Sequence, residues 1–201
     1  MKRSFASGFI RILVQISSLI FLIVSADLGN WFNSLCALVA LLLTSIPQLI
    51  TKWNNIKMPM VFTVAFILFL YAALYLGNFN SYYDRFIWWD NMLHSISSLS
   101  LSLVLFSYLI GMHQKPTKTN KLSPGMIIFV CFCFALSCEA FWEIIEFSAD
   151  RLLGTDMQRW QISGMSGLMD TMTDLIVDTC GAILAGIIEF IYLKKSKLIT
   201  K

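Results

Sequence analysis

Residues 125–147 read GMIIFVCFCFALSCEAFWEIIEF, a run whose charged residues are three glutamates. As a helix this run would be about 35 Å long, enough to cross the roughly 30 Å hydrocarbon core of a bilayer. The glutamates are Glu139, Glu143 and Glu146, and their i, i+4, i+7 spacing places them on one helical face. The stretch therefore predicts a membrane-spanning helix that carries an acidic stripe.

The composition of the whole chain agrees with this segment. Of the 201 residues, 57% are hydrophobic and 13% are charged, and the mean hydropathy is +0.71. A soluble domain has about 25% charged residues, and a disordered chain needs low hydrophobicity, so both classes are excluded. The net charge of +3 gives no indication of a nucleic-acid partner. The five cysteines lie in apolar runs without a metal-binding spacing, which predicts free thiols.

Six apolar runs predict an all-α fold, a polytopic helical bundle forming one integral membrane domain over residues 1–201. The predicted spans are residues 9–26, 31–50, 59–77, 88–111, 125–147 and 168–192. Residues 148–168 are expected to form a short interfacial helix or a re-entrant loop, with Trp160 at headgroup level. The first run also fits a signal peptide, because a basic start precedes it and Val24-Ser25-Ala26 suits a signal peptidase.

The lysines predict the orientation in the bacterial cytoplasmic membrane. With a cytoplasmic N-terminus, every lysine falls on the inner side, and the opposite side keeps only Arg85, Arg151 and Arg159. This distribution follows the positive-inside rule, so we expect both termini in the cytoplasm.

Acidic residues and one histidine recur at helical spacing in the last three predicted spans. They are Asp90 and His94 in the fourth span, Glu139, Glu143 and Glu146 in the fifth, and Asp170, Asp174 and Asp178 in the sixth. The predicted topology puts all three stripes at the outer end of the bundle. We therefore expect one cavity open to the extracytoplasmic side, about 12 Å deep over the eight residues from Asp170 to Asp178.

This cluster predicts a divalent metal site. A carboxylate at the centre of a span costs roughly 2.5–3.5 kcal/mol, so buried acids need water, protons or counter-charges. Carboxylate oxygens suit Mg²⁺, Mn²⁺ or Ca²⁺, and one imidazole among them also allows Zn²⁺ or Fe²⁺. The sequence predicts no organic cofactor. A structural hydrogen-bond network between helices is the alternative for these acids.

Several motifs resemble an uncharacterised bacterial inner-membrane family represented by YjdF. Trp89-Asp90-x-x-x-His94 resembles its Y-D-x-x-x-H region, with Trp89 in place of Tyr. Residues 142–147, WEIIEF, resemble its W/Y-E-x-x-E-W/F segment, and residues 154–158 and 170–175 resemble its G-x-x-x-Q and D-T-x-x-D regions. Asp174-x-x-x-Asp178-x-x-Gly181 has a fainter likeness to the VanZ family. Neither resemblance implies an established reaction or cofactor.

Three functions fit these features. The first is a metal-dependent enzyme acting on a lipid or lipid-linked envelope substrate, with His94, Glu143 and Asp174 as central ligands. The other acids of the cluster would complete the metal shell or act as general base. The arginines Arg85, Arg151 and Arg159 are candidate counter-charges and, with Gln158, candidate substrate-binding residues.

The second function is a cation- or proton-coupled transporter component, because intramembrane acids commonly form such pathways. The third is a non-catalytic accessory or envelope-resistance protein whose polar cluster fixes helix packing.

Overall fold

The computed structural model describes residues 2–45, 49, 60–113, 122–159, 164 and 166–196. In those ranges the regular elements are helices, which confirms the all-α class. Outside the described residues lie Trp160 and many of the lysines that predict the orientation, namely Lys52, Lys57, Lys115, Lys118, Lys121, Lys197 and Lys201. The cytoplasmic position of the termini therefore stays a prediction.

The described helices have the length and composition of membrane spans. Those over Gly8–Asp27, Trp89–Met112, Pro124–Leu153 and Gly167–Lys195 are long and apolar enough to cross a bilayer. Two shorter apolar helices cover Trp31–Leu43 and Val64–Asn78. The chain is thus a polytopic helical membrane protein, while the number of six spans stays a prediction.

The chain divides into two compact units, Met1–Trp89 and Asp90–Lys201, and a single membrane domain stays a prediction. The first unit contains α1 (Lys2–Asp27), α2 (Trp31–Leu43), α3 (Met60–Leu70), a π-helical continuation of α3 (Tyr71–Phe79) and the short α4 (Tyr82–Arg85). A turn at Gly29, with φ of 69°, joins α1 to α2. The side chain of Asn30 caps α2 by accepting a hydrogen bond from the amide of Asn33.

The second unit contains α5 (Trp89–His113), α6 (Pro124–Leu153) and α7 (Gly167–Lys195). The hydroxyls of Ser123 and Ser166 cap α6 and α7 by accepting hydrogen bonds from the amides of Met126 and Met169. A proline at the first helical position follows Ser123. Gly154 takes the left-handed conformation that ends α6, with φ of 67°. These local signals set the helix ends.

Residues 148–153 correct one expectation. They continue α6 as far as Leu153 and are not the start of an interfacial helix or re-entrant loop, because no residue before Gly154 breaks the helix. The 30 residues of α6 are about 45 Å long, which exceeds the hydrocarbon core. A helix of this length projects beyond the hydrocarbon core or crosses it at a tilt.

The second unit buries polar residues and exposes apolar ones, the reverse of a soluble protein. On α6, Glu139 and Glu143 are buried while Phe141 and Ile144 are exposed. On α7, Asp174 is buried and Ile176 is exposed. Lipid solvates the apolar faces, so the carboxylates must be accommodated by protein between the helices.

Candidate metal site

The imidazole of His94 lies where three helices of the second unit meet. His94 is one turn after Asp90 on α5 and is 5% exposed. Its Nε2 atom is 3.7 Å from Oε1 of Glu143 on α6 and 4.0 Å from Oδ1 of Asp90. Its Nδ1 atom is 3.3 Å from Oδ2 of Asp178 on α7. The structure thus brings the acidic stripes of α5, α6 and α7 to one imidazole.

Three groups in this cluster have ligand atoms close enough to share an ion. Within each group the atoms lie within 4.8 Å of one another. The groups are His94, Glu143 and Asp174; His94, Glu139 and Asp178; and Asp90, Asp170 and Asp174. Seven of the eight predicted ligands therefore belong to a group, and the two shared members are His94 and Asp174.

The acidic stripe of α6 points inward along its whole length. Glu139, Glu143 and Glu146 are each no more than 5% exposed. The hydroxyl of Ser97 on α5 donates a hydrogen bond to Oε1 of Glu139. Glu146 belongs to none of the three groups, and its Oε2 atom is buried without a hydrogen-bond partner among the described residues. Glu146 is thus the buried acid of the cluster that belongs to no ligand group.

The acids of α7 carry the strongest indication of a bound ligand. Asp174 and Asp178 are 1% and 0% exposed. In the described part of the chain, neither oxygen of Asp174 has a hydrogen-bond partner, and Oδ1 of Asp178 and Oδ2 of Asp170 also lack one. Buried polar atoms without partners are rare, because each costs about 1–3 kcal/mol. Ions or protons on these oxygens would remove that cost.

The close approach of α7 to α5 depends on one glycine. A Cβ atom at Gly181 would overlap the backbone carbonyl of Ser95. Ala182 and Ala185 follow on the same helix and are fully buried. Small residues at such a contact let two membrane helices approach closely, and the contact at Gly181 lies about one turn from Asp178, which contacts His94.

The distance between Nε2 of His94 and Oε1 of Glu143 suits two ligands of one ion better than a direct hydrogen bond. A separation of 3.7 Å between nitrogen and oxygen is beyond normal hydrogen-bond length. Two ligands that are each about 2.1 Å from one ion lie roughly 3.4 Å apart at a tetrahedral angle. The nitrogen and the Glu143 oxygen could therefore hold one cation after a small adjustment. The residues present fit a divalent metal of the predicted kind.

The predicted arginines take different positions. The charge of Arg159 acts on Asp90 and Asp170. Arg151 is exposed and its guanidinium lies 5.3 Å from the ring centroid of Phe147. Arg85 ends α4 in the first unit and is exposed. Arg159 is therefore the arginine that the described structure associates with the cluster.

Asp150 organises the loop after α6. Its position beside Arg151 in the sequence predicts a solvated side chain or a local ion pair with Arg151. Instead its carboxylate accepts hydrogen bonds from the Thr155 hydroxyl at 2.6 Å and from the amides of Met157 and Gln158 at 2.7 and 3.0 Å. The cause is local, since Gly154 reverses the chain and brings these donors back over the end of α6.

Gln158 connects that loop to the start of α7. Its side-chain amide donates to the carbonyl oxygen of Gly167 at 3.3 Å and to the hydroxyl of Thr171 at 3.0 Å. Gln158 is 6% exposed. These contacts place the loop beside Asp170, while a role of Gln158 in substrate binding stays a prediction.

Glu189 lies close to Lys194 and Lys195 in the sequence, which predicts an ion pair with one of them, and this prediction is wrong. Its side chain is fully buried, and Oε1 accepts a hydrogen bond from the Ser102 hydroxyl at 2.8 Å. Lys194 and Lys195 are exposed. Glu189 and Ser102 therefore form a further buried polar contact between α5 and α7.

The sequence comparisons agree with the assignment as a membrane protein. The chain matches the family described as "predicted membrane protein (DUF2238)" over residues 7–195. It is 27% identical over 128 residues to an uncharacterised protein of Thermotoga maritima, covering 64% of this chain and 59% of the relative. No solved structure matches it. The family represented by YjdF is this one, and the likeness to VanZ stays an interpretation of one motif. The chain belongs to the DUF2238 family of predicted membrane proteins.

Proposed function

We propose that this protein is a metal-dependent membrane enzyme that acts on a phosphate-bearing lipid or lipid-linked substrate. The observation that carries the proposal is the buried group of His94, Glu143 and Asp174, in which both oxygens of Asp174 lack a protein partner. One nitrogen and two carboxylates from three different helices are a ligand set that divalent cations accept.

Charge balance supports a cation rather than a purely structural network. The cluster contains seven carboxylates and one histidine, and Arg159 is the arginine associated with it. A hydrogen-bond network would pair the acids with donors, as Ser97 does for Glu139. The unpartnered oxygens of Asp170, Asp174 and Asp178 do not follow that pattern. Divalent cations supply both the charge and the contacts that these oxygens lack.

The substrate class follows from the position of the site and from the ligands. A cation held by carboxylates in a membrane span binds phosphate oxygens well, and lipid phosphates are the phosphates that reach this depth. Asp90 is the most exposed acid of the cluster at 18%, so it marks the side from which a headgroup would approach. An open cavity at this position stays a prediction.

Hydrolysis of a phosphoester is the reaction we infer. The oxygen of water forms a bond to phosphorus, the bond from phosphorus to the lipid oxygen breaks, and one proton of water passes to that oxygen to give an alcohol. Glu146 is our candidate for transferring this proton, because it is buried beside the ligands without belonging to an ion group.

Elemental analysis of the purified full chain in detergent tests the metal requirement. We expect a bound divalent metal in the wild type and its loss in the Glu143→Ala/Asp174→Ala variant. Glu189→Gln is the matched control, since it removes another buried acid of α7 outside the cluster, and it should retain the metal. No metal in the wild type, or equal metal in the double variant, contradicts the proposal.

The reaction is tested by phosphate release from a lipid phosphate in mixed micelles, with and without added Mn²⁺. We expect release that depends on the metal and falls at least 100-fold in Asp174→Asn, as for removal of a group central to catalysis. A protein that binds metal but releases no phosphate from any lipid phosphate contradicts the enzymatic part of the proposal.

A cation- or proton-coupled transporter component is the second candidate, and the buried Glu189 favours it. Ser98 donates to the backbone carbonyl of Asp178, and Ser102 donates to Glu189. The contact at Glu189 lies eleven residues, about 16 Å along α7, beyond the contact at Asp178. Proton uptake by proteoliposomes that is lost in Glu189→Gln would support transport, whereas equal uptake in wild type and variant would exclude it.

A further inference from the structure

Two of the three ligand groups are joined by Asp174. One group contains His94 and Glu143, the other contains Asp90 and Asp170, and Asp174 belongs to both. The ligand atoms within each group lie within 4.8 Å of one another. A carboxylate has two oxygens, and each can bind a different ion. The arrangement therefore offers two adjacent ion positions with one bridging residue.

Asp174 has the properties of a bridging ligand. It is 1% exposed, it lies at the centre of the stripe on α7, and neither of its oxygens has a hydrogen-bond partner among the described residues. If Asp174 bound one ion through a single oxygen, its second oxygen would stay buried and unpartnered, which costs about 1–3 kcal/mol. Two ions would satisfy both oxygens.

The third ligand group consists of His94, Glu139 and Asp178, and all three side chains already take part in hydrogen bonds. Two of its members, His94 and Asp178, are in hydrogen-bond contact through Nδ1 and Oδ2. Its glutamate, Glu139, accepts the hydrogen bond from Ser97. An ion in this group would have to displace both contacts, whereas neither oxygen of Asp174, which the other two groups share, has a hydrogen-bond partner among the described residues.

We propose that the site is a two-metal centre in which Asp174 bridges one ion held by His94 and Glu143 and a second ion held by Asp90 and Asp170. This inference rests on the proposed function and gives it a more specific form. Two metal ions about 3.5–4 Å apart can bind two oxygens of one phosphate group, and many phosphoesterases use this arrangement. A phosphate-bearing headgroup is thus the ligand that this geometry accommodates.

The stoichiometry of Mn²⁺ in the purified full chain tests the proposal. After loading with Mn²⁺ and dialysis, we expect two ions per chain in the wild type and one in Asp90→Asn/Asp170→Asn. Glu189→Gln is the control and should keep two ions. Thermal unfolding of each variant shows whether a lower metal content reflects loss of the fold.

Electron paramagnetic resonance also gives a readout on the wild type itself. Two Mn²⁺ ions bridged by Asp174 should give an exchange-coupled spectrum, and Asp90→Asn/Asp170→Asn should give the spectrum of an isolated ion. One ion per wild-type chain with an isolated-ion spectrum overturns the two-metal centre but leaves the proposed metal site. No bound ion overturns both.

Discussion

The Nδ1 atom of His94 on α5 lies 3.3 Å from Oδ2 of Asp178 on α7, and both residues are buried. If Nδ1 carries the proton, it donates to the carboxylate and leaves the lone pair of Nε2 directed toward Glu143. This is the arrangement of histidine ligands in many metal sites, where a carboxylate fixes the tautomer and the orientation of the ring. In the proposed metal site, Asp178 would therefore act on the ion through His94.

Asp178→Asn should weaken metal binding without abolishing it. The amide keeps the shape of the carboxylate but loses the charge that makes the imidazole a better ligand. We expect the affinity for the metal to fall about 10–100-fold, the range for loss of a residue that hydrogen-bonds to a metal-binding histidine. Calorimetric titration with Mn²⁺ measures it. Complete loss of binding would instead make Asp178 a direct ligand, and unchanged affinity would remove it from the site.

Gly181→Ala should destabilise the protein because its methyl group would overlap the carbonyl of Ser95. Overpacking of this kind costs about 1–3 kcal/mol. Gly186→Ala is a matched control in the same helix, since its methyl group meets only Cγ2 of Ile128 at 3.4 Å. Thermal unfolding in detergent compares them. Equal melting temperatures would show that α5 and α7 are not packed as closely as the structure has them.

Ser102→Ala should also reduce stability, because it removes the hydroxyl that donates to Glu189 at 2.8 Å. An unpartnered buried acceptor costs about 1–3 kcal/mol. Ser107→Ala is the control, since the Ser107 hydroxyl donates only to the Leu103 carbonyl of its own helix. The double variant Ser102→Ala/Glu189→Leu should recover stability. Failure to recover would indicate that Glu189 has a further role.

Asp150→Ala should loosen the loop after α6, because three donors lose their acceptor. Each such hydrogen bond contributes about 0.5–1.5 kcal/mol, more when the acceptor is charged. Hydrogen exchange of the amides of Met157 and Gln158 should become at least tenfold faster. Ser148→Ala is the control, since its hydroxyl bonds within α6. Unchanged exchange of both amides would mean that Asp150 does not order the loop.

Several elements of the fold could be read from local signals. The serines before α6 and α7 and the glycine after α6 mark helix ends, and the apolar runs mark the spans. The extension of α6 to Leu153 was missed because the apolar pattern ends at Phe147 while the helix does not. Polar residues continue a helix as readily as apolar ones once it emerges from the hydrocarbon core.

The sequence alone determined that this is a helical membrane protein and that the acids of three helices each share one face. Both results follow from composition and helical periodicity, which need only the chain itself. The tertiary structure decided which atoms meet: Asp174 between two ligand groups, Asp178 behind His94, and Glu189 against Ser102. These pairings depend on the rotation and axial shift of each helix, which packing sets. The contact of Gly181 with Ser95 is one such constraint, and no spacing along a single helix encodes it.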